Sequence, residues 1–181
     1  MKEKAIEACR ILNEFVLDLI TGVKCIELFE SPAVQAKASQ ETNLGMTRLC
    51  FFHLIITLSK WIEFYNKYQS LLPNKNRKVC KNLKKEIEKR EIGLFRNKFV
   101  GHIWDKDCDR PLTKEESDAY IVKINGGDKA AFLGWINKLN APYPTTVVSI
   151  SERVRDELEK QYSLTHRDLF PWAAEGIKVD N

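Results

Sequence analysis

The stretch Asn43–Leu72, NLGMTRLCFFHLIITLSKWIEFYNKYQSLL, decides the fold. It is apolar or aromatic for most of its length and ends at Pro73. A helix with so much apolar surface must be covered by neighbours on several sides, so the stretch predicts a central, well-buried helix. Pro73 closes it, because a proline pushes the residue before it out of the helical region. No period-two alternation competes with this reading. A membrane span would need about 20 consecutive apolar residues, whereas the longest run, Leu49–Leu58, is far shorter and carries His53.

Helical patterns continue on both sides. From Lys2 to about Glu30, Ile6, Cys9, Leu12, Val16, Leu19, Val23, Ile26 and Leu28 recur mostly at intervals of three and four, the stripe of an amphipathic helix, and Ser31–Pro32 end it. A polar connection, AVQAKASQETN, leads into the central helix. Beyond Pro73, Asn74 is placed to cap a third helix with apolar positions Cys80, Leu83 and Ile87. After a slip of five come Ile92, Phe95, Phe99 and Ile103, with Gly93 at the slip as an expected kink or bulge.

Past Asp105 the chain turns polar. Thr113 with Glu116 three residues on predicts a capping box for a fourth helix, which Gly126 and Gly127 stop. Asp128 caps a fifth, KAAFLGWINKL; APYPTT interrupts; and a last helix runs from about Val147 to Leu164, with Arg153/Glu157 and Arg155/Glu159 as solvent-face pairs. The expected architecture is all-α, an up-and-down bundle in one domain over residues 1–181, with long core helices in 1–105 and additional short helices and a tail in 106–181.

Composition agrees. The 181 residues are 44% hydrophobic and 30% charged with only 8 Gly and 6 Pro, which excludes collagen-like, linker-like and disordered chains. Cys9, Cys25, Cys50, Cys80 and Cys108 form no C-x-x-C pair, so they read as apolar fillers in a reducing compartment rather than zinc ligands. The N-terminus MKEKAIEACR has no apolar leader or cleavage site, and a cytoplasmic location without a membrane partner is expected.

The net charge of +4 conceals an uneven distribution. Lys75 to Lys98 holds ten basic and three acidic residues, a net +7, which leaves the remainder at −3. Lys81, Lys84, Lys85, Lys89, Arg90 and Lys98 are therefore candidate RNA-binding residues, since cations along a helix release counterions from a phosphate backbone.

This basic stretch runs into Leu94–His102, LFRNKFVGH, in which Arg96 is followed by polar Asn97 and, six positions on, by His102. The run resembles the Arg-x(4–6)-His motif of HEPN domains (higher eukaryotes and prokaryotes nucleotide-binding), most closely bacterial members, which commonly have Ala where this chain has Gly101. The likeness extends loosely to the whole chain, because HEPN domains are helical bundles with the motif late in a long helix. It implies a metal-independent, cofactor-free ribonuclease of toxin or abortive-infection type, leaving a 2′,3′-cyclic phosphate, with Arg96, His102 and, as a weaker assignment, Asn97 as catalytic residues. It also implies RNA as substrate, a homodimer, and an antitoxin or nucleotidyltransferase as partner. A catalytically silent module that binds RNA or protein is the alternative.

The chemistry suits the residues. A histidine titrates near neutral pH and serves as proton donor or acceptor, while a guanidinium keeps its charge against phosphoryl oxygens. On a straight helix, six residues separate Arg96 from His102 by about 9 Å and 120°. They would then flank a stripe of Phe95, Phe99 and Ile103, and that stripe packed across a two-fold axis would bring both motifs to one groove.

Two further patterns compete. Arg48 and His53 also match the spacing, but apolar Leu49 follows the Arg, and His53 reads as a hydrogen-bonded core or interface residue. Asp105, Asp107, Asp109 and Glu116 occupy positions 1, 3, 5 and 12 of an EF-hand-like loop. Position 6, however, is Arg110 before Pro111, where a glycine is required, so an acidic turn is expected instead. Asp105 is also placed to orient His102.

Overall fold

The computed structural model describes residues 1–100, 110, 111 and 113–170, the side chains of Phe99 and Val100 apart. It is all-α. The described elements are α1 (Lys2–Phe29), α2 (Pro32–Gln35), α3 (Gln40–Tyr68), α4 (Asn74–Lys89), α5 (Ile92–Phe95), a π-helical turn (Arg96–Val100), α6 (Lys114–Asn125), α7 (Lys129–Ile136), α8 (Val147–Tyr162) and α9 (His166–Leu169). Among the described residues no helix is long and apolar enough to cross a membrane.

The central helix predicted over Asn43–Leu72 is α3, and Leu54, Ile55, Leu58 and Trp61 on it are fully buried. It begins three residues earlier than its apolar pattern because Ser39 caps a polar first turn, its Oγ accepting from Thr42 N at 3.2 Å. α1 packs antiparallel along α3. Lys67 meets Glu7 at 2.8 Å, Phe15 meets Phe64 edge-on at 5.9 Å, and Thr57 reaches Asp18. One turn further on, Gly22 makes room for Leu54: a Cβ there would lie 2.6 Å from Leu54 Cδ2. α8 packs along α1, and from α3 the buried Trp61 Nε1 donates to Ser151 Oγ on α8 at 3.0 Å.

Local chemistry sets the helix ends. Thr113, Thr146 and Thr165 each form a reciprocal capping box, with Glu116, Ser149 and Asp168 respectively. Gly126 and Gly127 stop α6 at positive φ, and Asp128 caps α7 through Ala131 N at 2.9 Å. The expected cap on α4 is different: Pro73, not Asn74, occupies the cap position, and no side chain closes that end. Leu169 is seated on α1, because Arg10 donates to the carbonyls of Leu169 (2.8 Å) and Asp168 (2.7 Å).

Gly93 is not the kink. The chain breaks two residues earlier, at Glu91, whose left-handed φ of 56° separates α4 from α5. The π-helical turn after Phe95 adds a second change of pitch. The break at Glu91 accounts for the slip of five between Ile87 and Ile92, while Gly93 sits within α5 with only Ser59 Oγ near its missing Cβ, at 3.9 Å.

Candidate nucleic-acid interface

α4 divides cleanly into two faces. Asn76, Cys80, Leu83 and Ile87 turn inward. Lys78, Lys81, Lys85 and Lys89, at intervals of three and four, project from the opposite side and are exposed. At 1.5 Å per residue this lysine ridge spans roughly 16 Å of helix surface.

Two of the basic residues expected to bind RNA have other work. Lys84 leans sideways, 3.4 Å from Glu88 and 5.8 Å from the Tyr65 ring centre. Arg90 turns back into the molecule: it contacts Glu86 at 2.9 Å, donates to the Ile124 carbonyl at 2.6 Å and lies 4.5 Å from the Trp135 ring centre. Arg90 thus ties the end of α4 to α6 and α7. Lys98 is half-buried on the π-helical turn. Lys78 was absent from the expected set although it continues the ridge, a position that a helical projection from Lys81 identifies.

Arg96 opens the π-helical turn. Its side chain is 38% exposed, and its guanidinium donates to Asn97 Oδ1 at 3.2 Å and lies 3.9 Å from Glu63 Oε1 on α3. Asn97 itself is exposed. Glu63 was not identifiable beforehand, because only the fold brings it to a residue 33 positions away. It also lines a cleft of about 310 Å³ between α1 and α3, together with Glu14, Asp18, Lys60 and Lys67. His102 lies outside the described residues, as do Ile103, Asp105, Asp107 and Asp109.

Two geometric expectations change. The 120° separation between Arg96 and His102 assumed a straight α-helix, and the π-helical turn over Arg96–Val100 replaces that pitch. Phe95, expected on an intermolecular stripe, is fully buried within this chain, against Phe52 at 6.3 Å and Tyr120 at 5.9 Å.

The competing patterns are also altered. His53 is not a core histidine: it is exposed, with Nε2 3.4 Å from Asp18 Oδ1, while Arg48 covers the Phe52 ring at 5.0 Å. Glu116, position 12 of the EF-hand-like loop, takes a two-pronged contact from Arg110 at 2.8 Å and accepts from Thr113 N at 2.8 Å. These contacts hold its carboxyl down at about 2, the Arg110 hydrogen bonds first and the Thr113 amide second. Its oxygens serve the start of α6. No group of three metal-ligating side chains occurs among the described residues.

No family model matches the chain, and no curated protein matches it. The all-α bundle is shared with a solved structure, the integron cassette protein Vpc_cass2 from the mobile metagenome of V. paracholerae. The two align with a TM-score of 0.71 at 28% identity, over 88% of this chain and 98% of that one.

Proposed function

We propose that the chain is a metal-independent endoribonuclease of HEPN type, a toxin or phage-defence effector of the cytoplasm. The observation that carries this reading is the placement of Arg96: partly exposed, hydrogen-bonded to Asn97, and seven residues along the chain from the last lysine of the ridge, Lys89. The ridge draws in an RNA backbone. Arg96 bears on the phosphoryl oxygens as charge builds there. His102 takes the proton from the ribose 2′-hydroxyl or supplies one to the departing 5′-oxygen, leaving a 2′,3′-cyclic phosphate and a 5′-hydroxyl. Asn97, whose Oδ1 faces Arg96, positions the guanidinium. A homodimer, and an antitoxin or nucleotidyltransferase partner, belong to the same proposal; Phe95, spent inside the chain, is not part of the dimer contact.

Glu63 favours a second reading. An acid 3.9 Å from Arg96 gives that residue a structural partner, as a module that binds RNA or protein without cleaving it would have. Single-stranded RNA incubated with the protein in EDTA decides between them. Cleavage that Arg96→Ala and His102→Ala each abolish, with helical circular dichroism unchanged, supports the nuclease. Salt-sensitive binding without cleavage supports the silent module.

A further inference from the structure

The antiparallel register of α1 and α3 brings two cysteines together. The pairs Glu7/Lys67, Asp18/Thr57 and Gly22/Leu54 run in order along the seam. One more turn places Cys25 opposite Cys50 across the seam, where burial first and then the facing Cys25 thiol push the Cys50 thiol up. Both residues are only half-buried, so a small reagent reaches them. Three residues before Cys25, Gly22 lets the Leu54 side chain pack directly on α1, so the seam is tight beside this point, and a disulfide requires Cα atoms about 4.4–6.8 Å apart.

We propose that Cys25 and Cys50 are a redox modification site, at which a small-molecule disulfide closes a reversible cross-link between α1 and α3. The thiolate of one cysteine attacks a sulfur of the reagent, forming a mixed disulfide and expelling one thiolate. The second cysteine then attacks the protein-bound sulfur and expels the other. Two protein thiols are oxidised, one small-molecule disulfide is reduced to two thiols, and the two protons pass to those products. The other described cysteines are unsuited to this chemistry. Cys9 and Cys80 are buried, and burial pushes each thiol up to about 12, whereas the Cys50 thiol, also pushed up by burial, stays half-buried beside Cys25. The pair stands apart from Arg96 and the lysine ridge, so the inference does not depend on the nuclease reading.

The test uses the full chain, oxidised glutathione as the probe, and alkylation of the remaining thiols followed by intact mass and peptide mapping. Two of the five thiols should be lost, and one linked species should join the Cys25 and Cys50 peptides. The melting temperature should rise by about 5–10 °C, as expected for a cross-link in a chain of this size. Dithiothreitol should reverse the change, and Cys25→Ser should show neither the linked peptide nor the rise. Five alkylatable thiols after treatment, a link between other cysteines, glutathione adducts without a linked peptide, or an equal rise in Cys25→Ser would overturn the proposal.

Discussion

Glu116 shows how one carboxylate closes a helix end. It completes the capping box with Thr113 and grips Arg110 through both oxygens, so its pKa in the folded protein falls from 4.5 to about 2. A carboxyl lowered by folding contributes stability above its unfolded pKa, and that contribution disappears as pH falls through the folded value. The contribution of this cap should therefore be complete above about pH 5 and fade between pH 4.5 and about 2. Denaturant titrations of the wild type and Glu116→Gln across that range should converge at the acid end. Curves that stay parallel from pH 5 to pH 2 would remove the assignment. At the same scale, Asn97 changes meaning: in sequence it is a polar residue beside an arginine, and in the fold its Oδ1 is that arginine's acceptor.

At the scale of elements, the contact of α1 with α3 depends on a missing methyl. Gly22→Ala would put a Cβ against Leu54, a fully buried side chain with little room to yield, and should cost about 1–3 kcal/mol. Leu54→Ala opens space at the same point, so the double variant should lose less stability than the two single losses combined. Additive losses would mean that the two residues are not in contact. The helices were legible where local chemistry declares them: the stripe of α1, the Thr113 and Asp128 caps, and the Gly126–Gly127 stop. The break at Glu91 was not, because a left-handed glutamate is disfavoured locally and is held by what surrounds it, including its ion pair with Lys123 on α6. The π-helical turn at Arg96 was hidden too, since the apolar positions Ile92, Phe95 and Phe99 keep the intervals of three and four of an ordinary α-helix. The core alternative for His53 fails because its helix is apolar only on average, while its own position faces Asp18 at the surface.

Across the whole molecule, the charge polarity visible in sequence becomes a division of labour. A net +7 segment supplies both an exposed ridge and an internal clamp. Replacing Lys78, Lys81, Lys85 and Lys89 together by Gln should leave stability nearly unchanged and flatten the dependence of log affinity on log salt by about 3, at about 0.7 per phosphate contact on a single strand. Arg90→Ala should do the reverse, costing about 2 kcal/mol of stability through its lost carbonyl and ring contacts while leaving the salt slope near wild type. A slope unchanged in the four-lysine variant would show that RNA does not bind along the outer face of α4. The central claim, that Arg96 and His102 cleave RNA, is most directly tested by the ends they leave. Wild-type protein incubated with a single-stranded oligoribonucleotide in EDTA should give fragments with 2′,3′-cyclic phosphate and 5′-hydroxyl termini, and His102→Ala should give none. Intact RNA with the wild type, or the same termini from His102→Ala, would contradict it.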